Sequence, residues 1–255
     1  MIIPRLNAES TKHDFFVYAA CDETYFDEFA VSFINSARQN TANSLHLHLF
    51  NPRKDQIQYC KDKDISMSYE HAPLDLFHKA ADKWVHLDEE RKRHTLEAMV
   101  KSGDKHIVER IQKTYYACAR FIRLNEIITS PKRLFAIDVD AVVRNDIPAL
   151  EPSCDLYIHR NRQFLAGGIY LTGTITSQKF LREYATCLID SISKDDLYWT
   201  LDQDILDKLV PKYIYNELPR SLIDWEMKND SCIWTAKGKR KELNIFKQEQ
   251  QKYRN

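Results

Sequence analysis

Residues Arg133 to Ile147 read RLFAIDVDAVVRNDI, and the fold turns on this stretch. Leu134, Phe135, Ala136 and Ile137 form an uninterrupted apolar run, which suits a strand buried on both faces. The run ends in Asp138-Val139-Asp140, and Arg133–Val143 is predicted to be a single central strand. In an open α/β sheet, ligands sit at the carboxyl ends of the strands. Two carboxylates placed there make a hard-oxygen site for Mg²⁺ or Mn²⁺. Such an ion can bridge the oxygens of a diphosphate.

Working outward, the N-terminal half alternates strand and helix signals. Phe15–Cys21 is an apolar strand, and Asp22, Glu23 and Thr24 make a polar turn. Phe26, Phe29, Ala30, Phe33, Ile34 and Ala37 then recur at helical spacing. A strand at Leu45–Phe50, a helix at Arg53–Lys63 and a strand at Ile65–Tyr69 continue the alternation of a parallel sheet. Residues 74–106 break it with a charged, helical excursion that includes ADKWVHLDEERKRHTLEAM. A more apolar helix follows, from Ile107 through Tyr115 and Cys118 to about Thr129. Beyond the acidic strand come strands at Asp155–His159 and Gly168–Leu171 and helices at Gln178–Ile192 and Asp202–Leu209. The fold class is therefore α/β, a mixed but mainly parallel Rossmann-like sheet flanked by helices, in one domain over residues 1–255. Residues 242–255 read as a basic C-terminal tail.

Composition narrows the function classes. Lys plus Arg and Asp plus Glu balance at 37 each, which argues against a dedicated nucleic-acid binder. Hydrophobic residues make up 44%, enough for a sizeable core. The six cysteines fall at Cys21, Cys60, Cys118, Cys154, Cys187 and Cys232 without a CxxC pair, and read as free thiols. The opening MIIPRLNAESTKHDFF has no apolar leader core, and no long hydrophobic span follows it, so the chain is expected to be cytoplasmic with no transmembrane segment.

Six motifs in order resemble the retaining glycosyltransferases of family eight, whose members have the GT-A fold. They are FFVYAACDETYFDEFAVSF (Phe15 to Phe33), YYACARFIRL with Arg120, AIDVDAVVRNDI, FLAGGIYL, WTLDQDIL, and Thr235-Ala236-Lys237-Gly238-Lys239-Arg240-Lys241. The resemblance covers about Asp14 to Lys241. It implies transfer of a hexose from a nucleotide-diphosphate sugar, a UDP-sugar foremost, to a saccharide, lipid or protein acceptor. It implies Mn²⁺ or Mg²⁺ on Asp138 and Asp140. It implies donor contacts from Ala19, Ala20, Cys21, Asp22, Tyr25, Arg120, Asp138, Val139, Asp140, Ala166, Gly167, Gly238 and Lys241, with Asp202 and Gln203 at the reacting sugar.

The residue types suit these roles. Arginine is a planar fork for phosphate or sugar hydroxyls. Ala166 and Gly167 leave room for a ligand against the backbone. The same residues have plainer readings: Arg120 on an amphipathic surface, Gly167-Gly168 as a bulge, Asp202 or Asp204 capping a helix, and a solvated basic run at 237–241. The chain departs from the family at Thr235, where relatives carry a metal-binding His. It departs again at Leu165, in place of Asn, and at Cys21 and Glu23 in the first turn. Two other functions compete. The string Asp138-Val139-Asp140-Ala141-Val142 also fits haloacid-dehalogenase-type phosphatases, in which the first Asp is the nucleophile. A sugar-nucleotide-binding protein without turnover is the third reading.

Overall fold

The computed structural model describes residues 6–8, 14–86, 88–236 and 238–254. The strands are β1 (Asn7–Ala8), β2 (Phe15–Asp22), β3 (Ser44–Phe50), β4 (Ser66–Glu70), β5 (Arg133–Ile137), β6 (Ala141–Val143), β7 (Leu156–Arg160), β8 (Phe164–Thr172), β9 (Tyr215–Glu217), β10 (Ile223–Asp224) and β11 (Ile233–Thr235). The helices are α1 (Glu23–Tyr25), α2 (Val31–Asn40), α3 (Lys54–Asp62), α4 (Leu74–Lys83), α5 (Glu89–Ser102), α6 (Ile107–Ile127), α7 (Ile175–Ser193), α8 (Leu201–Leu209) and α9 (Asn244–Gln251). A π-helical turn, Phe26–Ala30, joins α1 to α2.

The main sheet has the order β1-β4-β3-β2-β5-β8-β7-β9. From β4 through β3 and β2 to β5 the pairs are parallel, because helices carry the chain back across each time. The strand order reverses between β2 and β5, and this switch point is where such sheets open a crevice. The pairing of β2 with β5 stops at Tyr18 and Ala136, so Ala19 to Asp22 run on without a partner on that side. β8 lies antiparallel to β5 and β7, so the sheet is mixed.

β2 shows how the core is divided. Phe16 and Tyr18 face one side, packed among residues of α6, α7 and α8. Val17, Ala19 and Cys21 face the other, packed with α2 and the small second sheet. α6 is clamped from inside the first core: Tyr115 donates to Glu70 Oε1 at 2.7 Å, Arg123 pairs with Glu70, and Tyr18 donates to the carbonyl of Arg120 at 2.7 Å. Losing one partner of the buried Arg123–Glu70 pair costs about 3–5 kcal/mol, so the rotation of α6 is firmly set.

Two sequence expectations are corrected. Arg133–Val143 is not one strand. The chain leaves the main sheet at Asp138, where the Asp138 N–H reaches the Gly167 carbonyl at 3.3 Å, and Ala141–Val143 pairs with β11 in a separate sheet of order β10-β11-β6. The acidic pair therefore lies in a bend between two sheets. The residues read as a basic tail, 242–255, carry a packed helix within their described part. α9 buries Phe246 completely, and Gln250 donates to the Glu28 carbonyl at 2.6 Å. The described residues between 74 and 106 include α4, a short 3₁₀ turn at Trp84–His86, and α5, ahead of α6. All six cysteines are free thiols. Among the described residues, no helix is long and apolar enough to cross a membrane.

Candidate active site

The acidic bend is assembled from four directions. Pairing of β6 with β11 sets Thr235 opposite Ala141, and the Ala236 N–H donates to the Asp140 carbonyl at 3.0 Å. That register delivers the basic segment to the acidic one. Lys241 ends up with its ammonium 2.6 Å from Asp140 Oδ2. The same ammonium donates to Tyr25 Oη at 2.7 Å and lies 4.3 Å from the Tyr25 ring centre and 5.0 Å from that of Phe29. Burial works against its charge, but Asp140 and Tyr25 outweigh it and hold the amine protonated. Tyr25, expected as a donor contact, is part of a cage for Lys241. Phe29, the other wall of the cage, reads in the sequence only as a core position.

Arg120 serves Asp138 in the same way. Its guanidinium pairs with Asp138 Oδ1, donates to the Ala166 carbonyl at 3.0 Å and to the Ala117 carbonyl at 3.2 Å, and stands 3.8 Å from Asp202 Oδ2. Burial alone would weaken the charge, yet Asp138 and Asp202 hold it in place. Arg120 is therefore the strut joining the acidic bend, β8 and α8. Gly167 faces Asp138 directly: a Cβ at this position would lie 2.6 Å from Asp138 Oδ2. The residue is glycine because the carboxylate occupies the space of a side chain.

Asp202 is buried on the first turn of α8. Its Oδ1 accepts from the Gln203 N–H at 3.0 Å, and its carbonyl accepts from Tyr184 Oη at 3.0 Å. Tyr184 anchors the element that carries Asp202, yet within α7 it looks like any apolar-spaced residue. Asp204 is drawn away to Gln163 Nε2 at 2.7 Å. Thr200, just before α8, has a left-handed φ of 79°.

The other expected residues divide by face. The side chains of Ala19, Cys21 and Val139 point into the second core, and burial pushes the Cys21 thiol well up. Ala166 is buried in the first core, and Ala20 packs partly against it. Asp22 caps α1, accepting from the Tyr25 N–H at 2.9 Å. Gly238 has φ 63°, which favours glycine, while a Cβ there would meet nothing within 4 Å. Lys239 and Arg240 are exposed, and Lys237 lies outside the described residues.

Can these residues take a divalent ion? Among the described residues no three His, Cys, Asp or Glu side chains gather into a metal site. Thr235 supplies no imidazole. The donor set is two carboxylates, which suits Mg²⁺ or Mn²⁺ that draws its remaining ligands from phosphate and water. Asp140 Oδ1 is the local sign of such a group: it is buried and has no hydrogen-bond partner among the described residues. Burial, reinforced by Asp138, pushes the Asp140 carboxyl above the usual carboxylate range against the pull of Lys241. The residues fit a cation that arrives with a diphosphate.

Solved structures share this architecture. The galactosyltransferase LgtC, in complex with donor and acceptor sugar analogs, superposes at a TM-score of 0.54 and 12% identity, covering 94% of this chain and 96% of that one. The chain has the GT-A glycosyltransferase fold. The glycosyltransferase GlyE of Streptococcus pneumoniae TIGR4 matches at 0.56 and 14% identity, covering 92% of this chain and 60% of that one. The bifunctional glycosyltransferase WbbM matches at 0.52 and 13%, covering 91% and 47%. No protein-family model matches the sequence, and no curated protein matches it. Within the GT-A fold, the acidic bend, Arg120, Gly167, Lys241 and Asp202 converge at the carboxyl ends of β2 and β5.

Proposed function

We propose that this chain is a metal-assisted, retaining glycosyltransferase that moves a hexose from a nucleotide-diphosphate donor, UDP-hexose foremost, to a saccharide, lipid or protein acceptor. The whole chain is taken as one domain acting in the cytoplasm. One observation carries the reading: at the switch-point crevice two neighbouring carboxylates each face their own cation, Asp138 that of Arg120 and Asp140 that of Lys241, and Arg120 links Asp138 to Asp202. A fold alone would not support an activity, because function resides in the site.

The site suggests a division of labour. Asp138 and Asp140 would hold Mg²⁺ or Mn²⁺, which supplies Lewis-acid stabilisation of the leaving diphosphate. Lys241, a compact point charge, offers its ammonium to the same phosphates. Gly238 has a left-handed backbone at the start of the 3₁₀ turn that carries Lys241. Ala19 to Asp22, unpartnered towards β5, present backbone to the nucleotide. Arg120 keeps Asp138 and Asp202 in fixed relation. Asp202 and Gln203 support positive charge growing at the anomeric carbon. In the transfer, the bond from that carbon to the diphosphate oxygen breaks and a bond from the acceptor oxygen forms on the same face. The acceptor proton passes to a phosphate oxygen of the leaving group, so no protein base is required.

The phosphatase reading needs Asp138 as a free nucleophile on the first core strand. Here β2, β3 and β4 precede it and Arg120 pairs with it. Calorimetry with UDP tests the proposal. UDP should bind in the presence of Mn²⁺ and bind at least about tenfold more weakly to Asp140→Asn, a difference of about 1.4 kcal/mol. Equal binding by the two proteins, or no binding by either, would remove its basis.

A further inference from the structure

We propose that the helical excursion α4–α5 is a brace that sets Asp202 and Gln203 through the segment 195–200, with Arg91, Thr95 and Arg110 as positioning residues. The inference rests on the glycosyltransferase reading for what Asp202 and Gln203 do, though not for the brace itself.

The segment is held on one side at nearly every residue. Lys83 of α4 pairs with Asp195. Arg91 of α5 donates to Asp196 at 2.9 and 3.2 Å, and its guanidinium lies 4.6 Å from the Tyr198 ring centre. Thr95, fully buried, donates its hydroxyl to the Arg91 carbonyl at 2.8 Å and accepts the Trp199 N–H at 3.2 Å. Arg110 stands 4.5 Å from the Trp199 ring centre, donates to the Ala98 carbonyl at 3.1 Å and pairs with Asp104. α5, α6 and the segment are thus tied through one tryptophan.

The backbone shows why a brace is needed. The segment begins and ends at non-glycine residues with left-handed φ, Asp195 at 58° and Thr200 at 79°. Threonine is β-branched and disfavours this region, so the conformation persists only where the surroundings impose it. Thr200 also lacks a side-chain capping bond to α8. Two residues later comes Asp202, 3.8 Å from Arg120. If Thr200 relaxes to negative φ, the first turn of α8 rotates, and Asp202 moves with it. α6 spans both ends of this path, with Arg110 at Trp199 and Arg120 at Asp202.

The test uses Thr95→Val, which keeps the shape and removes the oxygen that Trp199 N–H needs, beside Thr95→Ser, which keeps the hydroxyl. The readouts are turnover of a nucleotide-sugar donor, UDP affinity, and hydrogen exchange of residues 197–205. Expected for Thr95→Val is a drop in kcat of about tenfold or more, with UDP affinity within about twofold, because binding and positioning separate. Exchange at 197–205 should quicken by about tenfold, and Thr95→Ser should restore both. Unchanged kcat and unchanged exchange would overturn the brace, as would equal losses in kcat and UDP affinity. Should Thr95→Val fail to fold, Arg91→Met decides by the same readouts, since Arg91 is partly exposed. Should the wild-type protein turn over no donor, the exchange experiment still judges the brace, and the functional reading fails by itself.

Discussion

Gly167→Ala isolates the geometry of the acidic bend. The added methyl would sit 2.6 Å from Asp138 Oδ2 and 3.3 Å from its Cγ. An ordinary contact is about 3.4 Å, so the carboxylate must retreat by about 0.8 Å. It cannot do so freely, because Oδ1 is paired with Arg120 and the Asp138 N–H is bonded to the Gly167 carbonyl. A misplacement near 1 Å costs about a hundredfold in rate, or about 2.7 kcal/mol of transition-state stabilisation. We therefore expect kcat/KM to fall by about thirty- to a hundredfold. Gly167 has a φ open to any residue, so the fold should tolerate the change. Gly168→Ala is the control. Its methyl would meet Leu218 Cδ2 at 3.2 Å and Ile223 Cδ1 at 3.5 Å, on the opposite face of the strand. That crowding belongs to the core, and should lower Tm by about 2–4 °C for each kcal/mol while leaving the rate within about threefold. Donor turnover and thermal melts on the two variants give the answer. An active Gly167→Ala, within about twofold of wild type, would show that the position of Asp138 does not matter to the chemistry.

Other outcomes follow from the same site and core. Asp140→Asn should lose at least about a hundredfold in transfer rate, about 3 kcal/mol, and excess EDTA should mimic it in the wild type; full activity in EDTA would refute this. Lys241→Met should weaken UDP binding by about tenfold or more in calorimetry with Mn²⁺, since it removes the ammonium held beside Asp140. Stability should fall on mild acidification. Burial lowers the pKa of His46 to about 4 and that of His48 in the same direction, so both rings stay neutral in the fold while the unfolded chain protonates below about 6.5. Their contribution is complete above about 6.5 and is lost as pH falls towards 4, up to about 3 kcal/mol for His46. Urea midpoints between pH 7 and pH 5 measure it, and His46→Gln should flatten the slope.

The alternation from β2 to β4 was legible because each strand is an apolar run bounded by turn residues, and each helix has apolar residues at helical spacing. The convergence of Arg120, Asp138 and Asp202 was foreshadowed by their order along the chain. Other features had no local signal. β6, β10 and β11 have two or three residues each and exist only through their partners, so the break after Ile137 could not be seen. The antiparallel course of β8 depends on the sheet around it. Lys241 was singled out from the basic run by the resemblance, but nothing local pairs it with Asp140, and the β6–β11 register does so. Tyr25 was noticed as an aromatic near the site, but its partner Lys241 lies 216 residues away. α9 carries a mixed, charged sequence, and its one buried apolar residue, Phe246, was too little to mark a packed helix.

Proton NMR of the reaction itself tests the account most directly. Wild-type protein with Mn²⁺ would be offered α-linked UDP- and GDP-hexoses, with and without simple saccharide acceptors, and the first products followed in time. At least one donor should be consumed, its nucleoside diphosphate released, and an α-configured hexose should be the first product. A β-configured product would overturn retention and call for a carboxylate base, with Asp202 or Asp204 the residues to examine. Every donor intact, with phosphate released instead from p-nitrophenyl phosphate, would contradict the glycosyltransferase assignment.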